Sequence, residues 1–215
     1  FCFAHVIPGK YMPCGAMQAA GSSYSYIRRA LCGGAPYDEL NKMIEKSPAG
    51  AKNLIFLPYL LGERSPRWNP DTSGAFLGIK PEHDKKDYVR AVIEGIAMNM
   101  ELILKAYRKQ AKIETMCLTG GGAKGDVVAQ ILSDVLNVEF SMPDCVEEAT
   151  AIGAAVIAGV GVGVFDSFQE VKRFLKFEKT VKPVKEHRED YEKLMPVFDE
   201  AYHCMLPLYK KMAKL

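Results

Sequence analysis

The feature that most constrains the fold of this chain is a run of three glycines set between an apolar segment and a helical one. Met116-Cys117-Leu118-Thr119 ends in Gly120-Gly121-Gly122, and Val127, Val128, Ile131, Leu132 and Val135 then step along one helical face. The stretch reads strand, turn, helix. Glycine lets the backbone bend sharply and lets a ligand lie against the main chain. The helix behind it offers unpaired N–H groups and the positive end of its dipole to an anion or a polar ligand edge. The spacing is neither that of a Walker phosphate loop nor that of a clean dinucleotide fingerprint. By itself the turn admits two readings, tight packing under a helix or a ligand corner.

Composition narrows the surroundings. With 215 residues, 48% of them hydrophobic and 25% charged, the chain can bury a core of one or two domains. A formal net charge of +2 without a basic block gives no reason to invoke nucleic acid. Lys210, Lys211 and Lys214 read as a solvated helix end, and every apolar run meets glycine or charge well before a membrane-spanning length. The six cysteines include no C-x-x-C pair, which fits a reduced, cytoplasmic compartment, and Cys117 falls in an expected buried strand. The four histidines are too scattered for a metal cluster. The start at Phe1-Cys2-Phe3, without methionine, suggests a piece of something larger.

Taken in order, Phe1–Ile7 and Tyr11–Cys14 flank the turn pair Pro8-Gly9 and predict a hairpin. Residues 15–33 predict a helix stopped by Gly33-Gly34. Its first half, from Gly15 to Ser23, is small throughout, which suits close packing and equally leaves room for a flat ligand. A short helix follows at 36–45, then the apolar run Asn53–Leu61. The loop Gly62–Asp71 carries two prolines, Arg64, Arg67 and the only tryptophan, Trp68. It reads as a clasp over a core edge or as a wall facing a site, with the clasp favoured. Gly74–Ile79 predicts a strand. Asp84, with Asp87 three residues on, caps a long helix whose stripe is Val89, Val92, Ile93, Ile96, Met100, Ile103 and Tyr107. Ile113–Thr119 and Val138–Ser141 are strands around a helix at 124–136, so crossover connections and some parallel pairing are expected. Ala149–Val160 is a small-residue helix suited to contact with a sheet. A C-terminal helix at 187–212 points Tyr191, Leu194, Phe198, Tyr202 and Leu206 inward, with Pro196 and Pro207 expected to kink or interrupt it.

Several of these segments together resemble one family. Gly74-Ala75-Phe76-Leu77-Gly78-Ile79, followed after seven residues by Asp87, Ala91, Val92, Ile93 and Glu94, resembles the second signature of the FGGY carbohydrate kinases, with Tyr88 in place of the usual aliphatic residue. Phe56–Pro66 and His5–Tyr11 resemble the stretch before that signature and the second-strand hairpin in the family's xylulose kinases. Thr119-Gly120-Gly121-Gly122-Ala123-Lys124 resembles the adenosine motif, and Glu148 with Ala151-Ile152-Gly153-Ala154-Ala155 the segment after it. The resemblance covers nearly the whole chain, and the order of the motifs carries it.

It implies an α/β domain of the ribonuclease H-like fold shared by actin, Hsp70 and hexokinase, with a mixed sheet flanked by helices. Residues 1–215 would be the C-terminal nucleotide-binding domain of a sugar kinase that works with ATP and Mg²⁺. The γ-phosphoryl group would pass to a sugar hydroxyl, D-xylulose leading among pentuloses. By motif, Gly120, Gly121, Gly122 and Ala123 pass beside the α-phosphate and ribose, and Gly21 and Ser25 take the family's helix position at the nucleotide. Asp126 falls where relatives have an asparagine touching adenine or ribose, and an ionised Asp accepts a hydrogen bond but cannot donate one. The catalytic Asp and a Gly-Thr-Ser-Gly turn are expected upstream of Phe1, on the part that also brings the N-terminal domain. The fragment alone is therefore expected to be inactive. Neither nucleic acid nor membrane is an expected partner, no metal ligand set is expected within the chain, and a homodimer stays open. Two other classes remain. A chaperone or filament ATPase shares the fold but lacks the Gly74–Glu94 signature. A dinucleotide dehydrogenase module needs an acidic residue ~20 positions beyond the glycines, near Glu139, but also needs the turn in its first βαβ unit.

Overall fold

The computed structural model describes residues 1–215, the side chain of Glu178 excepted. The expected hairpin forms: β1 (Cys2–Ala4) pairs antiparallel with β2 (Tyr11–Pro13) across the Pro8-Gly9 turn. The helix expected from residue 15 starts later, with α1 spanning Gly21–Cys32. The residues ahead of it are held by tertiary bonds instead. Gln18 N–H donates to Glu63 Oε1 (2.7 Å), and Ala16 O accepts from Ser65 N–H (3.0 Å). Backbone groups used this way are not free for a helical ladder. Gly15 is small for another reason: a Cβ there would lie 2.2 Å from Ile103 Cγ2. α1 ends at Gly33 as expected, in the left-handed conformation.

α2 (Tyr37–Glu45) follows, and β3 (Ile55–Leu57) pairs antiparallel with β4 (Ala75–Leu77). α3 (Lys85–Arg108) is the hub. It packs on α1, α2 and β3, and on two later helices, α4 (Asp126–Leu136) and α6 (Lys185–Met212). Its start has the expected capping box, Asp84 accepting from the first turn and Asp87 accepting from Asp84 N–H (3.0 Å). Val89, Val92, Ile93 and Ile96 are buried, whereas Met100, Ile103 and Tyr107 are only half-buried. At Gly95 the helix presses so closely on β3 that a Cβ would lie 2.2 Å from Phe56 O.

The third sheet carries the crossover. β5 (Thr115–Cys117) runs parallel to β6 (Glu139–Pro143), with α4 connecting them, and β7 (Phe177–Val181) pairs antiparallel with β6. The sheet is mixed, as expected, but β7 lies in a charged stretch with no strand pattern and was not anticipated. Cys117 corrects another expectation, being exposed. β5 is an edge strand, and its Thr115 and Cys117 are exposed on one face, while Phe140, Met142 and Val181 are buried on the other side.

α5 (Ala149–Gly161) does not rest chiefly on the sheet. Its main contact is a 3₁₀ segment at Phe168–Arg173, and a Cβ on Gly159 would lie 2.3 Å from Phe165. α6 runs through Pro196 and Pro207 without interruption. Each proline removes one helical bond, and the buried stripe of Tyr191, Leu194, Met195, Phe198, Tyr202 and Tyr209 outweighs that loss. Among the described residues no helix is long and apolar enough to cross a membrane.

Candidate functional site

The glycine turn is bare. Gly120 takes a φ of 79°, where side chains are disfavoured, and its N–H donates to Val146 O (2.7 Å), tying the corner to the segment after β6. Gly121–Ala123 make one 3₁₀ turn, in which only Ala123 is buried. A Cβ added at Gly120, Gly121 or Gly122 would meet no atom within 4 Å. The outer side of the corner is open space.

Gly125 precedes α4 and provides no side-chain cap, so the first N–H groups of that helix have no capping side chain. Asp126, the first residue of α4, is exposed and forms an ion pair with Lys179 of β7. Lys124 beside it pairs with Glu147 (2.7 Å).

The start of α1 joins this corner through α2. A Cβ on Gly125 would lie 2.9 Å from Asn41 Nδ2. Asn41 Oδ1 in turn accepts from Tyr24 O–H (3.0 Å), and Tyr24 sits on the α1 turn between Gly21 and Ser25. Burial first, and the neighbouring Tyr37 second, push the Tyr24 phenol up, so it remains a proton donor. Gly21 is as bare as the corner glycines, with nothing within 4 Å of an added Cβ. The sequence-predicted residues thus fall in two groups, Gly120–Asp126 and Gly21–Ser25, linked by Asn41.

Glu63 holds the approach to α1. It is 4% exposed, and its Oε1 accepts from Gln18 N–H and Arg64 N–H (both 2.7 Å), while its Oε2 accepts from Asn99 Nδ2 (2.8 Å). Burial pushes its carboxyl up despite these donors. The charged residues of the Gly74–Glu94 signature also serve the framework. Asp87 accepts from Ser47 Oγ (2.7 Å) and Lys52 Nζ (2.8 Å). Glu94 Oε1 accepts from Arg90 (2.6 Å), Tyr191 O–H (2.8 Å) and Gly50 N–H (2.9 Å). The loop Gly62–Asp71 is the clasp: Arg67 pairs with Asp199 (2.6 Å) and lies 4.0 Å above the Tyr202 ring, fastening the loop to α6.

A cavity of about 210 Å³ lies between α3, α4 and α6, lined by Glu101, Lys105, Arg108 and Arg188 among others. It reaches Asn137, the residue that ends α4, so it sits at the opposite end of that helix from the glycine turn. Among the described residues no group of three His, Cys, Asp or Glu side chains could hold a metal ion. Sequence reasoning missed Asn41, Tyr24, Glu63 and Lys179. The partners of Glu63, Gln18 and Asn99, lie 45 and 36 residues away, and no local pattern records such pairings.

Comparison with known proteins places this geometry in context. The C-terminal domain of the FGGY family of carbohydrate kinases matches residues 3–162. A xylulose kinase of Staphylococcus epidermidis is 32% identical over 202 residues, 93% of this chain and 40% of that protein. A gluconokinase of Bacillus licheniformis is 35% identical over 180 residues, 83% of this chain and 35% of its own. The crystal structure of a ligand-bound xylulose kinase from Lactobacillus acidophilus superposes with a TM-score of 0.82 at 30% identity, over 91% of this chain and 40% of that one. The chain therefore spans about two fifths of the length of these relatives. The fold is the ribonuclease H-like one of the actin, Hsp70 and hexokinase group.

Proposed function

Because the chain belongs to the FGGY family of carbohydrate kinases, matching its C-terminal domain, we propose that it forms the nucleotide-binding half of an ATP-dependent sugar kinase. In this reading the ribose and α-phosphate of ATP lie against Gly120, Gly121, Gly122 and Ala123. Gly21 and Ser25 form the opposite wall, and the γ-phosphoryl group passes to a sugar hydroxyl. The sugar is D-xylulose, on the strength of the xylulose kinases among the relatives; gluconate is the runner-up because a gluconokinase is about as similar. The chaperone or filament reading is set aside, since the matched family is one of carbohydrate kinases.

The observation that carries the reading is the unfilled corner at Gly120–Gly122, joined to the equally bare start of α1 through Asn41. A nucleotide phosphate and ribose need backbone approach of this kind. This chain's part in the reaction is positioning: it holds the donor near the uncapped start of α4, whose dipole favours negative charge. Mg²⁺ fits as an ion carried by the phosphates and water, which is how it is commonly bound when a protein offers few carboxylates. The proton-accepting Asp and the sugar contacts are assigned to the remainder of a full-length kinase, so the 215-residue chain does not turn over sugar alone.

Isothermal titration with ADP and Mg²⁺ tests this directly. The chain is expected to bind, and Gly121→Val to lose binding while melting at an unchanged temperature. A Cβ there meets no atom within 4 Å, so a β-branched side chain would extend into the open corner. No binding by the unsubstituted chain, or undiminished binding by the variant, removes the reading.

A further inference from the structure

We propose that Asn41 reads the base of the bound nucleotide and selects adenine over guanine, with Tyr24 as its positioning residue. The inference rests on the nucleotide reading above and gives one of its side chains a specific task.

Two observations meet here. Asp126 stands beside the corner, but its carboxylate is engaged by Lys179 and, ionised, has no proton to donate. An amide nevertheless reaches the same corner from α2. Asn41 Nδ2 lies where any side chain on Gly125 would strike it, 2.9 Å from an added Cβ. Its other end is fixed, because Tyr24 O–H donates to Asn41 Oδ1 at 3.0 Å. With that bond in place Oδ1 is turned to Tyr24 while Nδ2 lies against Gly125. This leaves the Nδ2 protons without a hydrogen bond among the described residues, and one of the two Oδ1 lone pairs unused.

The group presented is one donor and one acceptor, side by side and half-buried. Adenine offers the complement, an N7 acceptor next to an N6 amino donor, and asparagine pairs with that edge through two hydrogen bonds. Guanine offers two acceptors on the same edge, N7 and O6, so Oδ1 would face an oxygen with no proton between them. Tyr24 bonds the amide, and in this assignment it acts through Asn41.

The test is titration of the chain with ADP, GDP and 7-deaza-ADP, in which N7 is replaced by carbon, for the unsubstituted protein, Asn41→Ala and Tyr24→Phe. The unsubstituted chain should prefer ADP to GDP by about tenfold and lose about tenfold on 7-deaza-ADP, as expected for a paired amide contact. Asn41→Ala should bring all three nucleotides within about twofold of one another. Tyr24→Phe should fall between, since the amide remains but loses its orientation. If Asn41→Ala keeps both preferences, or if 7-deaza-ADP binds the unsubstituted chain as well as ADP does, the assignment to Asn41 is overturned while the nucleotide site stands. The second of these measurements needs no variant to fold. If the unsubstituted chain binds none of the three, site and selector fall together.

Discussion

Glycine serves opposite purposes at two positions of this chain, and substitution separates them. At Gly95 the missing Cβ is a packing requirement, since one would lie 2.2 Å from Phe56 O and the neighbour is backbone that cannot rotate away. Gly95→Ala should cost about 3 kcal/mol and lower Tm by roughly 10 °C, read from a calorimetric melt. At Gly121 an added Cβ meets nothing within 4 Å, so Gly121→Val should leave Tm within about 2 °C of the parent, as surface changes usually do, and remove only ADP binding. A melt that drops as far for Gly121→Val as for Gly95→Ala would mean the corner is packed, not open. The glycine turn was legible in the sequence because backbone freedom depends on residue type alone. The two roles were not, because what a Cβ would strike depends on segments distant in sequence, such as Phe56 against Gly95. Asn41 gave no signal for the same reason: its neighbours Tyr24 and Gly125 come from two other elements.

Elements were readable in proportion to how much of their stability is local. α3 announced itself through Asp84, Asp87 and a continuous apolar stripe, all within one segment. Asp87 does more than cap. It also accepts from Ser47 and Lys52, pinning the loop ahead of β3 to the start of the hub helix. Asp87→Ala should therefore cost about 3 kcal/mol, the sum of a lost cap and the buried Ser47 hydroxyl left without its acceptor. Asp84→Ala, which removes only the exposed half of the box, should cost about 1 kcal/mol. Equal losses for the two in urea unfolding would show that the Ser47 and Lys52 bonds contribute nothing. Elements decided by tertiary contact were misread instead. Gly15–Ala20 has helix-compatible composition, but Glu63 and Ser65 engage its backbone. β7 exists because β6 offers it an edge, and α6 absorbs two prolines because six of its side chains are buried.

At the scale of the whole molecule, buried carboxylates of opposite character make stability depend on pH in two directions. For Glu63 burial is the largest influence and raises its pKa above the ordinary carboxylate value. The folded chain then holds that proton more tightly than the unfolded chain. Its contribution is present below the unfolded value, ~4.3, and is lost as pH rises through the raised folded value. Glu94 and Glu101 are raised by burial in the same sense. Asp87 behaves oppositely: burial opposes its charge, but hydrogen bonds from Lys52, Ser47 and the Asp84 amide outweigh burial and lower its pKa. Its contribution is present above the unfolded value, ~3.9, and is lost as pH falls through the lowered folded value. The urea midpoint should thus decline on both sides of about pH 4. Glu63→Gln should make the upper decline shallower and leave the acid side alone, and Asp87→Asn should do the reverse. A Glu63→Gln profile parallel to that of the parent above pH ~4.3 would show that this carboxyl is charged in the fold. The clamp holding the approach to α1 would then be an ionised one, accepting from Gln18, Arg64 and Asn99 at once.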